Sequence, residues 1–408
     1  MISRLRLPGS DMPRDVLVLA VIAFCVAVGF GVLIPVLPVF AQSFGNVSQF
    51  MVGLVISAFA FVRLLMSPAV GPLIRLLGPR TTLTVGIFIV AASSAASGFA
   101  GTYAQLLIMR GLGGIGSAMF TVSAMSLLLG AVPSTMRGRA AGFFQSGFLI
   151  GGMAGPAVGG LLSRISLTAP FFFYAVTLAV AGVVGLLLLR SGGLVEAGHG
   201  AEPPRPLPQV LRDPRFQAAC WANFANGWNS MGVRSSLTPV LVVTVLGREP
   251  TWTGVAFAVS AVVQTVLIVP IGKFVDTVGR RPALIGGGLI ATVGITAVAL
   301  SPNIWVLIAA MCVYAVGAGT LGTAPAAAVG DAAGGRSGTP VAIFSMFSDV
   351  GAIIGPLVGG LIADAAGIRE GYALGAAMLL VTSLLALRMP PGVPAGRPAP
   401  EEPAEEDR

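Results

Sequence analysis

The sequence predicts an all-α integral membrane protein, with twelve transmembrane helices in two pseudo-symmetric six-helix bundles. Three observations predict it. Of 408 residues, 55% are hydrophobic and only 10% are charged, against about 25% charged in soluble domains. Apolar runs long enough for the ~20-residue crossing of a bilayer recur along the chain, and none alternates polar with apolar residues as a barrel strand would. Finally, residues 151–160, GGMAGPAVGG, return at 351–360 as GAIIGPLVGG. In lipid every backbone group must pair internally, so runs of this kind are helices.

The first run, 16–40, is too long for the apolar stretch of a signal peptide and lacks a small-residue cleavage pattern, so it reads as a retained span. Spans follow at 50–73, 81–100, 103–130, 138–162 and 169–190, completing a bundle over residues 1–190. Residues 191–215, SGGLVEAGHGAEPPRPLPQVLRDPR, are polar and rich in Gly and Pro, and read as a cytoplasmic linker. A second bundle over 216–389 holds spans at 216–246, 252–273, 283–300, 304–328, 339–364 and 370–389. The tail, 390–408, is proline-rich and acidic and reads as disordered.

Basic residues orient these spans. With the N-terminus inside, eighteen of the 24 Lys and Arg residues fall in cytoplasmic segments and three, Arg164, Arg248 and Arg369, fall outside. This bias sets the N- and C-termini in the cytoplasm. The net charge of +8 is scattered between apolar runs, which argues against a nucleic-acid partner. Cys25, Cys220 and Cys312 each sit inside an apolar run, so neither a disulfide framework nor a metal spacing follows. His199 stands alone in the linker and makes no metal site.

The repeat extends beyond one motif. GPLIRLLGPR (71–80) aligns with GKFVDTVGRR (272–281) at a shift of 201, and Arg63 aligns with Gln264 at the same shift. An even number of spans separates equivalent positions, so the two halves run parallel about an axis along the membrane normal, the arrangement used for rocking around a site between bundles. Gly151, Gly155 and Gly159, four apart, line one helix face and admit a close neighbour, as Gly355 does in the second copy. Pro156 and Pro356 remove a helix hydrogen bond and favour a bend. The pattern suits a moving interface; static helix packing is the plainer alternative.

GKFVDTVGRR resembles the signature loop of the major facilitator superfamily, with Gly272, Asp276, Gly279, Arg280 and Arg281 matching. GGMAGPAVGG looks like the fifth-helix motif of that superfamily's drug:proton antiporters, and RGLGGIGSA (110–118) is similar to their arginine-containing fourth-helix motif. The resemblance covers nearly the whole chain and implies the major facilitator fold, alternating access and a gating role for the signature loop. The first copy of that loop has Arg75 where the pattern has Asp, which leaves the latch to Asp276.

Ionisable groups inside spans are costly and mark function. Asp349 is the one acid well inside a span, and Arg63, Arg110 and Arg234 are the three intramembrane bases. Desolvation favours a neutral Asp349, which could carry a proton, with Arg110 as its companion in coupling; a fixed ion pair with one of the three arginines is the alternative. At ~100° per residue, Asn223, Asn226, Ser230 and Arg234 share one face of the seventh span, and Arg110, Gly114, Ser117 and Thr121 share one of the fourth. In the superfamily these helices line the cavity, so Arg63, Arg110, Ser117, Asn223, Asn226, Trp228, Ser230 and Arg234 are the candidate cavity residues. Interhelical hydrogen bonding is the alternative for the asparagines, and plain packing for Trp228.

These readings imply a secondary active transporter of the cell (plasma or inner) membrane. The leading form is proton-coupled efflux of small amphipathic or hydrophobic compounds, driven by the proton motive force with no cofactor. Its partners would be a small-molecule substrate, protons and the lipid bilayer, and its expected state is a monomer. The alternatives are transport of a polar or anionic metabolite and, from a different class, a non-transporting membrane scaffold or receptor. No nucleophile–base constellation or phosphate-binding motif points to an enzyme.

Overall fold

The computed structural model describes residues 12–132, 136–189, 206–333 and 338–390. The tail beyond 390, His199 and the linker up to 205 lie outside them. Twelve spans follow in order. α1 runs Arg14–Leu33 and resumes at Leu37–Gln42. The interruption falls at Pro35, which has no N–H to give and disfavours helix in the residue before it. α2 is Gln49–Leu77, α3 Pro79–Gly98, α4 Tyr103–Gly130, α5 Arg137–Leu162 and α6 Ala169–Leu188. A short helix, Leu207–Arg212, occupies the end of the expected linker.

The second half opens with α7, built from Pro214–Asn226, a π-helical Gly227–Val233, Arg234–Val240 and a π-helical Leu241–Val245. Pro239 lies between the two π segments, where a widened turn relieves the clash of its ring with the preceding turn. α8 is Pro250–Val278, α9 Arg280–Ala299, α10 Ile304–Ala333, α11 Gly338–Ala366 and α12 Glu370–Ala386. Nine helices among the described residues are long and apolar enough to cross a membrane. The exceptions are α5, diluted by glycine, α7, broken by π turns, and α12, which is short.

Each half packs the same way. α1 lies on α5 and α6, α4 on α2 and α3, and α3 on α6; likewise α7 lies on α11, α10 on α8 and α9, and α9 on α12. Each half has its own core, around Leu19, Leu83, Phe171 and Tyr174 in the first and Leu237, Tyr314, Tyr372 and Leu379 in the second. The turns α2–α3 and α8–α9 are single residues, Gly78 and Gly279, at φ of +79° and +107°. Only glycine takes such a backbone readily. Arg80 at the start of α3 donates to the Leu186 carbonyl, and Arg281 at the start of α9 donates to Leu387 at 3.0 Å, the same tie at a shift of 201.

The halves meet along α2–α11 and α5–α8. Every hydrogen bond and ion pair between them found among the described residues lies between mid-depth and the face opposite the start of α1. Among the described residues, the halves are therefore tied on that opposite face.

Candidate functional site

Arg63 is the midpoint of α2, with about 21 Å of helix on either side at ~1.5 Å per residue. That is deeper than the sequence placed it, because α2 runs on to Leu77. Its Nη2 donates to Asp349 Oδ1 of α11 at 2.8 Å. Asp349 is thus ion-paired in this state, and of the three candidate arginines its partner is Arg63. The pair bridges the halves, and its side chains keep 33% and 37% of their accessibility at this depth. About 9 Å nearer the opposite face along α2, Ser57 donates to the Ile353 carbonyl at 2.6 Å, so α2 and α11 are tied twice.

Arg110 is 3% exposed and its Cζ lies 4.8 Å from the Phe59 ring centroid. Its Nε is buried without a hydrogen-bond partner. The rest of its stripe diverges. Gly114 sits on the α2 backbone, where an added Cβ would meet Phe59 O at 2.5 Å. Ser117 turns into the first half, lining a cavity of about 20 Å³ with Val26, Ile87, Phe120, Tyr174 and Leu178, roughly the room one water needs. Thr121 donates back to Ser117 O at 2.9 Å. Ser117 therefore faces the interior of its own bundle, not a space between halves.

On α7 the expected stripe divides. Asn226 accepts from Ser230 Oγ at 3.0 Å, Ser230 lies 2.8 Å from Tyr314 Oη, and Arg234 Cζ stands 4.8 Å from the Phe257 ring and 5.3 Å from the Tyr314 ring. Arg234 Nε is also buried and unpartnered. Asn223 leaves this group and donates to Phe344 O of α11 at 2.8 Å, the interhelical bond that was the alternative reading. Trp228 is 2% exposed in the core of the second half, not on a cavity wall, because α11 packs over it through Gly351 and Gly355. Sequence reasoning missed Tyr314, Phe257 and Phe59; a tyrosine inside an apolar span was the available signal for the first.

The glycine motifs pack differently from the expected rocking interface. A Cβ at Gly151, Gly155 or Gly159 would fall 2.5, 2.5 or 2.1 Å from the α1 carbonyls of Phe24, Val28 or Val32, all within the first half. Gly351 and Gly355 press on Phe224 and Trp228 of α7 in the same way. The contacts between halves are one face over. Gly160 meets Thr251 and Gly254 of α8, and Gly360 meets Gln49 and Phe50 of α2. The carbonyls of Pro156 and Pro356 cover Gly254 and Gly53, with 2.5 and 2.2 Å to an added Cβ. On the edge of this contact, the Asp364 carboxylate accepts from Gln49 N at 2.7 Å and Phe50 N at 2.9 Å, capping α2 from the other half.

The signature loop stays within its own half. Arg280 lies 3.7 Å from Asp276 and 3.1 Å from Asp331 of α10. Gly272 has open space about it and Gly279 makes the turn into α9. Among the described residues, the polar contact of Asp276 is with Arg280 of its own half.

The sequence profile of the Major Facilitator Superfamily matches residues 19–247 and 219–407. The chain is 29% identical over 327 residues to the synaptic vesicular amine transporter of Bos taurus, covering 78% of this chain and 62% of that one. It is 23% identical to multidrug resistance protein 2 of Bacillus subtilis (strain 168), covering 84% and 86%. The solved structure of a bacterial homolog to the human lysosomal transporter Spinster superposes with a TM-score of 0.71 at 18% identity, covering 91% of this chain and 94% of that chain. The chain is a multi-pass membrane transporter and belongs to the Major Facilitator Superfamily.

Proposed function

We propose that the protein is a proton-coupled exporter of small amphipathic compounds in the cell membrane, working by alternating access. The observation that carries this is the Arg63–Asp349 pair, 2.8 Å across the seam between halves at mid-depth and one-third accessible. A proton taken up by Asp349 neutralises the carboxylate and removes the attraction that holds α2 to α11, while loss of the proton restores it. Protonation leaves Arg63 without its counter-charge and so biases the seam, by less than for a fully buried pair because both side chains are about one-third accessible. The basic-residue bias makes the face where α1 begins cytoplasmic, so this state is closed to the outside. Similarity to a multidrug resistance protein supports export.

The test is proton release from purified protein in detergent on adding matched cationic, neutral and anionic amphiphiles, followed by flux of the responders in proteoliposomes under an imposed pH gradient. Responders should be driven by the gradient and should stop when it is collapsed. Flux that ignores the gradient would sink the coupling.

A further inference from the structure

Each half carries one buried cation that the fold leaves uncompensated. Arg110 and Arg234 have no acid within ion-pairing distance among the described residues, and each has a buried Nε without a hydrogen-bond partner. The deep acid, Asp349, is already taken by Arg63. Arg110 lies about 10 Å along α4 from its start at Tyr103, and Arg234 about 17 Å along α7 from its end at Val245. Both stand on the tied side of mid-depth, where a cavity opening at the face of α1's start would end.

A buried guanidinium without a counter-charge is expensive. The aromatic rings beside these two offset part of that through cation–π attraction, but a ring face accepts none of the in-plane N–H bonds. A planar fork of N–H donors matches a carboxylate or similar oxyanion. The surroundings supply the other half of a ligand's chemistry: Phe59 packs against Phe30 at 6.1 Å, and Phe257 and Tyr314 flank Arg234.

We infer that the cargo is an amphipathic organic anion, and that Arg110 and Arg234 are the residues that read its charge. This rests on the transport reading above and names its substrate class. An amine brought to either arginine would meet a cation that has no acid within ion-pairing distance among the described residues.

The experiment uses full-length protein in nanodiscs and triads of ligands with one skeleton: 4-phenylbutyrate, 4-phenylbutanamide and 4-phenylbutylamine, then the naphthyl and octyl equivalents. Carboxylates should bind at least roughly tenfold tighter than the amide and amine of the same skeleton, the scale of one charge-assisted bond. Arg110→Gln and Arg234→Gln should each erase that preference while amide binding stays unchanged; a merely structural role would move all three ligands together. Should either Gln variant fail to elute as a single species, Arg110→Lys and Arg234→Lys take its place, with carboxylate binding weakened and amide binding kept. Tightest binding by the amines, equal binding within every triad, no binding by any carboxylate, or an unaltered preference in the variants would each overturn the inference. If the amines are the compounds driven by a pH gradient, the exporter reading stands and the anion assignment falls. If carboxylates bind with the stated preference but no compound is gradient-driven, the reverse holds.

Discussion

The two seams between the halves are copies of one another in backbone and differ in chemistry. In both, a proline carbonyl covers a glycine of the facing helix, Pro356 over Gly53 and Pro156 over Gly254, and a second glycine, Gly360 or Gly160, presses on the same helix start. The charges then diverge. Arg63 on α2 has Gln264 as its counterpart on α8, and Asp349 on α11 has Leu149 on α5. Asp364 caps α2 from α11, but Arg164 stands in its place on α5, facing a helix that begins with Pro250, which has no N–H to cap. The duplicated backbone thus supplies the close contact twice, while among the described residues a mid-depth ion pair spans only α2–α11, and the α5–α8 seam has just the exposed rim pair of Arg164 and Glu249. Under the proposed function, both contacts would have to move together, but a proton would have to be read at only one of them.

The sharpest way to break this asymmetry is at mid-depth. Asp349→Asn and Arg63→Gln should each reduce gradient-driven flux in proteoliposomes to background while the protein still elutes as a single species. Gln264→Ala, at the matching place in the other seam, should leave flux within about twofold of wild type, as for a substitution that touches no charge network. Equal losses at both seams would mean that the contact, not the proton, is what matters.

A second comparison separates the faces of the glycine motifs. Gly155→Leu would drive a side chain into the α1 backbone, 2.5 Å from Val28 O and 2.7 Å from Gly31 Cα at the Cβ alone. Its expected result is loss of folded first half, read as low yield and a fall in thermal stability. Gly160→Ala and Gly360→Ala push on the other half instead, at 2.9 Å from Thr251 O and 2.5 Å from Gln49 O. They should keep the fold and shift the molecule away from the tied state, read by electron spin–spin distances between labels at the start of α2 and the end of α11. An unshifted distance distribution in Gly360→Ala would remove that contact from the switching seam.

Much of this architecture was legible in the sequence because the signals were long-range in period and local in cause. Apolar runs and the shift of 200 placed the helices, and the matched loops 71–80 and 272–281 marked the connections that the structure narrows to Gly78 and Gly279. The spacing of Gly151, Gly155 and Gly159 showed that they share a helix face, but not which neighbour that face meets. Which arginine pairs with Asp349 was out of reach, since the choice depends on how two halves dock. The α7 stripe split because Gly227–Val233 is π-helical. A wider turn changes the angle per residue and sends Asn223 to α11 while Ser230 and Arg234 turn to Tyr314. Asp364 left no signal, as an acid near a span end looks solvated until the helix it caps is known.

The smallest effects belong to the rim, and they test whether the asymmetry extends there. Asp364 closes two of the free N–H groups at the start of α2, while Ser48 Oγ takes a third from Met51 at 3.2 Å. Losing a carboxylate cap costs roughly 0.5–2 kcal/mol of helix stability, and the exposure of Asp364 puts it at the low end. Because the cap reaches across the seam, that energy counts only while the seam is closed. Asp364→Ala should therefore shift the closed-to-open equilibrium by about twofold to fivefold without altering global stability, as reported by the same distance distributions. Its counterpart should do nothing. Arg164 lies 3.9 Å from Glu249, with 62% and 70% of the two side chains accessible, and 3.3 Å from Thr251 Oγ1. An exposed pair of this kind is worth about 0–1 kcal/mol and is screened by salt. Arg164→Ala should leave the distance distribution where it was at 150 mM salt, on the scale of the ~8 Å Debye length there. If Arg164→Ala opens the seam as far as Asp364→Ala, the rim charges are interchangeable, and the confinement of charge chemistry to α2–α11 stops at mid-depth.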